Sequence, residues 1–195
     1  SDEEVIYKET KGKLWHFRYP IKDEKGYIVV ATTRPETMLG DTGIAVNPKD
    51  KRYTTFIGKS VRLPIVNREI PIFADEYVDM EFGTGCVKVT PAHDPNDFNM
   101  GTRHKLELIN IFHRDATLND NTPENYQGLD RFEARDKVVN ELDSLGLLDK
   151  IDDYENSVGH SERTNAIIEP YLSKQWFVKM KPMADMALKV VKDGE

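Results

Sequence analysis

Cysteine is nearly missing from this sequence: Cys86 is the single one in 195 residues. An internal disulfide and a thiolate zinc cluster within the chain are thereby excluded, and dithiol redox chemistry has nothing to run on. Long apolar runs are missing too, for none approaches the roughly 20 residues that a bilayer-spanning helix needs. The first residues, SDEEVIYKET, have neither the basic start nor the apolar stretch of a secretory signal. The expectation is a soluble, cytoplasmic protein with no membrane partner. Excess positive charge is also lacking. A net charge of −7 argues against affinity built mainly on neutralising many phosphates. A nucleic-acid partner would be touched locally while something else holds it. Internal repeats and low-complexity segments are absent.

What is present is an ordinary folding chain. Its length suits one domain with a substantial core, and 38% hydrophobic residues against 31% charged ones exclude a disordered segment. The first two thirds read as short strands between Gly, Pro, Asn and Asp: KLWHFRYPI, GYIVVATT, TGIAVNP, SVRLPIV, EIPIFAD, GCVKVT and LINIF. That pattern predicts a mainly β fold with added helices, α+β in class, built on a barrel or a compact mixed sheet. Pro64 and Pro71 lie within strand-like runs and mark edges or bends. The clearest helix is DRFEARDKVVNELDSLG, residues 130–146, with Asp130 and Glu133 at capping-box spacing. Phe132, Val138, Val139, Leu142 and Leu145 would form its apolar face, and Gly146 would end it. A second helix is predicted to start in HDPNDFNMGTRHK. From about residue 151 the character changes, so the chain divides into a core over 1–150 and a peripheral segment over 151–195. The tail places Met183, Met186, Val190 and Val191 at helical spacing, to pack here or on something outside this chain.

The strongest local signal is GTGCVKVTPAHDPNDF, residues 83–98. Alternation puts Val87 and Val89 on one face of the strand and Cys86, Lys88 and Thr90 on the other. An ammonium beside a hydroxyl suits recognition of a small polar group. Asp94 can cap the next helix with Pro95 at its first position and Asp97 reaching back toward the cap. Capping and a site are compatible, because a helix N-terminus favours ionised carboxylates that can accept from a substrate ammonium. His93, Asp94 and Asp97 are metal-ligand types, yet sequence neighbours need not converge and no second ligand cluster accompanies them; neither a metal nor another cofactor is expected.

ATTRPETMLGDT, residues 31–42, raises the same choice. Thr33 and Glu36 have capping-box spacing, with Pro35 starting a short helix that Gly40 stops. Capping leaves Arg34 unexplained, and it leaves Thr37 and Asp41 one helical turn apart on one face. No nucleophile elbow is present, Ser161 beside His160 lacks triad logic, and Cys86 between apolar neighbours reads as a packing residue. Hydrolysis here would be direct attack by water.

Together ATTRPETMLGDT and GTGCVKVTPAHDPNDF closely resemble the editing domains inserted into the valyl-tRNA synthetase family, and LDRFEARDKVV and EPYLSKQWFVKM resemble later parts of the same sequences. The pairing of RPET with Lys88, Thr90 and PAHDPND looks valyl rather than isoleucyl or leucyl, which remain the alternatives together with a non-hydrolytic module for the tRNA acceptor end. The resemblance implies a β-barrel core with helices outside it and a deacylase that clears threonine mischarged on valine tRNA. Its partners would be the threonine-bearing tRNA 3′ end and a synthetase catalytic domain. The HIGH and KMSKS signatures are absent, so this chain is not expected to activate an amino acid. By the same resemblance Asp97 takes the substrate amine, and Lys88, Thr90 and Asp94 surround the threonine hydroxyl. Thr33, Arg34 and Thr37 hold the ester and terminal adenosine, with Asp79 and Phe82 near the base.

Overall fold

A computed structural model describes residues 4–174 and 176–194. The first sheet is organised by a long strand, β1 (Val5–Pro20), with β2 (Tyr27–Thr32) antiparallel on one side and β7 (Leu148–Ser161) antiparallel on the other. The register with β7 shifts between His16 and Phe17. Such an irregularity turns consecutive side chains to the same face, and both residues are buried.

The second sheet has the order β4 (Ser60–Leu63), β5 (Arg68–Ala74), β3 (Gly43–Val46), β6 (Cys86–Val89). Only the β3–β5 pair is parallel. All four residues of β3 are buried, as an inner strand covered on both faces should be. Pro71 sits where β5 changes partner, from β4 over residues 68–71 to β3 over 72–74, so its missing N–H falls at a break between ladders. Pro64 follows the last residue of β4 and opens a turn in which Ile65 and Asn67 have φ of 67° and 54°.

The class agrees with expectation, but the strands do not close into one ring. Among the described residues a single bridge, Ile21 to Val61, joins the sheets on one side, and on the other β2 lies against β6 without a ladder. That seam stays open because a cavity occupies it, lined by Ala31 and Thr32 from β2 and by Cys86, Val87 and Lys88 from β6. LINIF forms no strand either. Ile111 gives its N–H to a histidine ring, and Phe112 makes one isolated bridge to Leu118.

Helix α1 (Pro95–His104) covers a small cluster of Ala45, Val78, Val89 and Met100. Helix α2 (Arg131–Ser144) closes the main core, which holds Phe17, Tyr19, Leu39, Ile44 and Ile72. Its buried face is narrower than the expected stripe: Ala134, Val138 and Leu142 are inside, whereas Phe132 and Leu145 are exposed. The Phe132 ring instead lies beneath the guanidinium groups of Arg131 and Arg135, at 4.7 and 5.1 Å. Gly146, at φ 69°, follows the helix as expected. Helix α3 (Met180–Asp193) has no buried residue, so the apolar side chains of the tail are exposed here. No described helix is long and apolar enough to cross a membrane.

Candidate active site

Two chain turns build the cavity wall. After β2, the N–H of Arg34 donates to Thr32 Oγ1 at 3.0 Å, and Pro35 starts a 3₁₀ helix over Pro35–Gly40. The expected Thr33–Glu36 capping box does not form, for no side chain caps this helix. Glu36 is fully buried and turned the other way, accepting from Arg135 Nε and Nη2 at 2.7 and 2.9 Å. A two-pronged guanidinium contact from α2 outcompetes a local amide for a buried carboxylate. Thr37 Oγ1 donates to the Arg34 carbonyl at 2.8 Å, which directs that hydroxyl's other side toward β6.

The second turn follows β6. Asp94 is the N-cap of α1, its Oδ1 accepting from the N–H groups of Asn96 and Asp97 at 2.7 and 3.1 Å, with Pro95 in the first turn as expected. Asp97 does not reach back to the cap. Its Oδ2 accepts the Thr90 N–H at 2.8 Å, because β6 has ended and that N–H has no strand to pair with. Before β6, Gly85 has φ 76°, and a Cβ there would lie 2.5 Å from the Arg52 guanidinium and 3.0 Å from the Met80 carbonyl oxygen. Only glycine fits that turn.

Between the turns sits a buried polar cluster. Lys88 Nζ donates to Thr37 Oγ1 and Asp41 Oδ1, each at 2.9 Å, and to Thr90 Oγ1 at 2.6 Å. Thr90 Oγ1 donates to Asp41 Oδ1 at 2.6 Å, and the Tyr19 hydroxyl donates to Asp41 Oδ2 at 2.8 Å. Burial raises the Asp41 carboxyl above its ordinary range, while the Lys88 charge and these hydrogen bonds pull it back. Burial pushes Asp97 up to about 7, against the Lys88 charge and the Thr90 N–H. His93 is pushed down to about 3 by burial and by the Arg34 and Lys88 charges. Its Nε2 accepts the Ile111 N–H at 3.0 Å, so this ring is a neutral structural acceptor. The Cys86 thiol, buried, is pushed up to about 12 and is no nucleophile.

The cavity beside this cluster has a volume of about 390 Å³. Thr33, Arg34, Thr37, Phe82, Lys88, Thr90, Asp94 and Asp97 all line it. Asp79 does not; it is exposed, and its Oδ1 accepts the Glu81 N–H at 2.9 Å. Arg34 is anchored at the rim, donating to the His93 carbonyl and to Glu169 Oε2, both at 2.9 Å. Phe82 lies at the opposite rim, 55% exposed and edge-on to Tyr154. Sequence reasoning missed Asp41 and Tyr19 as members of the cluster. Asp41 carried a signal in its spacing from Thr37, whereas Tyr19 is an ordinary inward residue of β1. Among the described residues no group of three or more His, Cys, Asp and Glu side chains could hold a metal ion.

Residues 49–141 match the family model described as "Leucyl-tRNA synthetase, editing domain". The chain is 63% identical over 190 residues, 97% of its length, to a valine–tRNA ligase of Geobacillus stearothermophilus. It is 60% identical over its whole length to that of Bacillus subtilis and 58% identical over its whole length to that of Thermotoga maritima. The chain belongs to the valyl-tRNA synthetase editing domains. It spans 22% of the length of each of these relatives. The same fold recurs in the agnB2 LeuRS of Agrobacterium radiobacter K84, solved in a ternary complex with tRNA and LeuAMS; the TM-score is 0.56 at 17% identity, covering 92% of this chain and 28% of that one. In this editing domain the polar cluster and the cavity thus lie at the open seam of the two sheets.

Proposed function

We propose that this editing domain hydrolyses the ester of threonine mischarged on valine tRNA, as part of a synthetase whose catalytic domain holds most of the tRNA. The physical need is general. Threonine and valine have the same shape, and a hydrophobic pocket cannot strongly reject an isostere that adds a hydroxyl; valyl-tRNA synthetase facing threonine is the standard example. A second pocket that hydrogen-bonds the hydroxyl disfavours valine, since valine would leave buried polar groups unpaired. The observation that carries the reading is the buried cluster of Lys88, Thr90, Thr37 and Asp41 against one wall, with Asp97 close by on Thr90.

In this reading Lys88, Thr90 and Asp94 surround the side-chain hydroxyl, and ionised Asp97 takes the ammonium. Arg34, Thr33 and Thr37 hold the ester and the terminal adenosine, with Phe82 offering a face to the base. Asp79, at the surface, is a more distant contact. Residues 151–195, which begin within β7 of the first sheet, are the segment that returns toward the catalytic domain, and the exposed tail leads there. A water oxygen attacks the ester carbonyl carbon and the bond to the ribose oxygen breaks. The water's proton ends on that ribose oxygen, releasing threonine and intact tRNA. The ester is already activated, so holding it and the water in place supplies the rate without a protein nucleophile.

The test is deacylation of threonyl-tRNA specific for valine by the full-length synthetase, wild type and Asp97→Ala. Hydrolysis above the spontaneous rate that Asp97→Ala abolishes is expected. A wild type that binds the charged tRNA without cleaving it would make this a non-hydrolytic acceptor-end module.

A further inference from the structure

The hydrogen bonds of the cluster have fixed directions. An ammonium can only donate, an ionised carboxylate and a carbonyl can only accept, and a hydroxyl has one hydrogen and two lone pairs. Lys88 spends its three hydrogens on Thr37, Asp41 and Thr90. Thr90 spends its one hydrogen on Asp41, and Thr37 spends its one on the Arg34 carbonyl. Each threonine oxygen has also used one lone pair on Lys88. What remains at the cavity wall is one lone pair on each threonine and the free acceptor capacity of Asp94 and Asp97, both of which line the cavity.

Resting on the proposed editing function, we infer that Asp41 is a specificity-determining positioning residue: by taking the Thr90 proton it makes this wall an acceptor, so the pocket selects substrates whose side chain donates a hydrogen bond. Asp41 has no exposed surface and does not line the cavity, so it acts through Thr90 and Lys88. The Tyr19 hydroxyl, donating to Oδ2, holds the carboxylate with Oδ1 turned to Lys88 and Thr90. Lys88 likewise orients the two threonines, while their oxygens make the contact. The substrate class is narrowed: a β-hydroxyl that can donate is accepted, and a group of the same size that only accepts is not.

Fluorine separates the two, because in place of the hydroxyl it is similar in size, accepts weakly and cannot donate. The experiment charges valine tRNA with threonine, with valine and with 2-amino-3-fluorobutyrate, and measures single-turnover deacylation by the full-length synthetase. The fluoro ester is expected to be cleared at least about tenfold more slowly than the threonyl ester, near the valyl rate. Equal clearance of the fluoro and threonyl esters would overturn the acceptor wall while leaving the editing function standing. No threonyl clearance at all would remove the editing function itself. In Asp41→Ala the Thr90 hydroxyl loses its acceptor and can turn its hydrogen to the cavity, so the threonyl-to-fluoro rate ratio is expected to fall toward one. An unchanged ratio in a folded variant would contradict the role of Asp41. Should that variant fail to fold, the fluoro comparison on the wild type still decides the acceptor wall.

Discussion

Asp97 Oδ2 accepts the backbone N–H of Thr90 at 2.8 Å, tying the first turn of α1 to the end of β6 and leaving the other carboxylate oxygen for a ligand. Asp97 is 9% exposed, and burial pushes its carboxyl up to about 7. If it binds the substrate ammonium, it must do so ionised. Deacylation measured as kcat/KM, corrected for spontaneous hydrolysis, is therefore expected to rise with pH toward about 7, as Asp97 ionises, and to fall again where the substrate ammonium, ordinarily at about pH 8, loses its proton. His93, held near 3, adds no second limb in that range. A profile flat from pH 5.5 to about 8 would remove Asp97 from the amine-binding role.

The same burial makes Asp97 a cost to the fold. Its carboxyl binds a proton up to about 7 in the folded chain and only up to about 4 in the unfolded one, so the folded state holds more protons between those values. Stability from this group therefore falls as pH rises across that window. Asp97→Asn is expected to stabilise the chain on the order of 2–4 kcal/mol at pH 8 and to change little at about pH 3, since both states are protonated there. Chemical denaturation at the two pH values checks it; a variant less stable at pH 8 would contradict it.

Glu36 and Arg135 form a two-pronged pair joining the 3₁₀ helix to α2, with Glu36 fully buried and the Arg135 side chain 18% exposed. Removing the arginine leaves a buried carboxylate that among the described residues has Arg34 Nε, at 3.5 Å, as its remaining cationic neighbour. Arg135→Ala is expected to cost about 3 kcal/mol in denaturant unfolding. The turn carrying Thr37 and Asp41 would loosen with it. A loss below about 0.5 kcal/mol would mean that the pair does not hold this turn.

The β character, both α-helices that close the core, and eight of the cavity-lining residues were legible in the sequence, because each rests on local chemistry. Asp94, Pro95 and the alternation across Cys86–Thr90 state their geometry within a few residues. The open seam was not legible. It depends on β2 and β6, more than 50 residues apart, standing apart around a cavity. Glu36 and Asp97 misled for a related reason: both stand at capping spacing, yet tertiary partners, Arg135 and the Thr90 N–H, claim their carboxylates. Tyr19 gave no signal because its task depends only on its distance from Asp41.

The central claim is selective clearance of threonine, and the ratio of single-turnover deacylation rates for threonyl and valyl esters on valine tRNA tests it most directly. The full-length synthetase is predicted to clear the threonyl ester at least about a hundredfold faster, as expected when valine leaves hydrogen-bonding groups unpaired. Equal rates for the two esters would contradict the account.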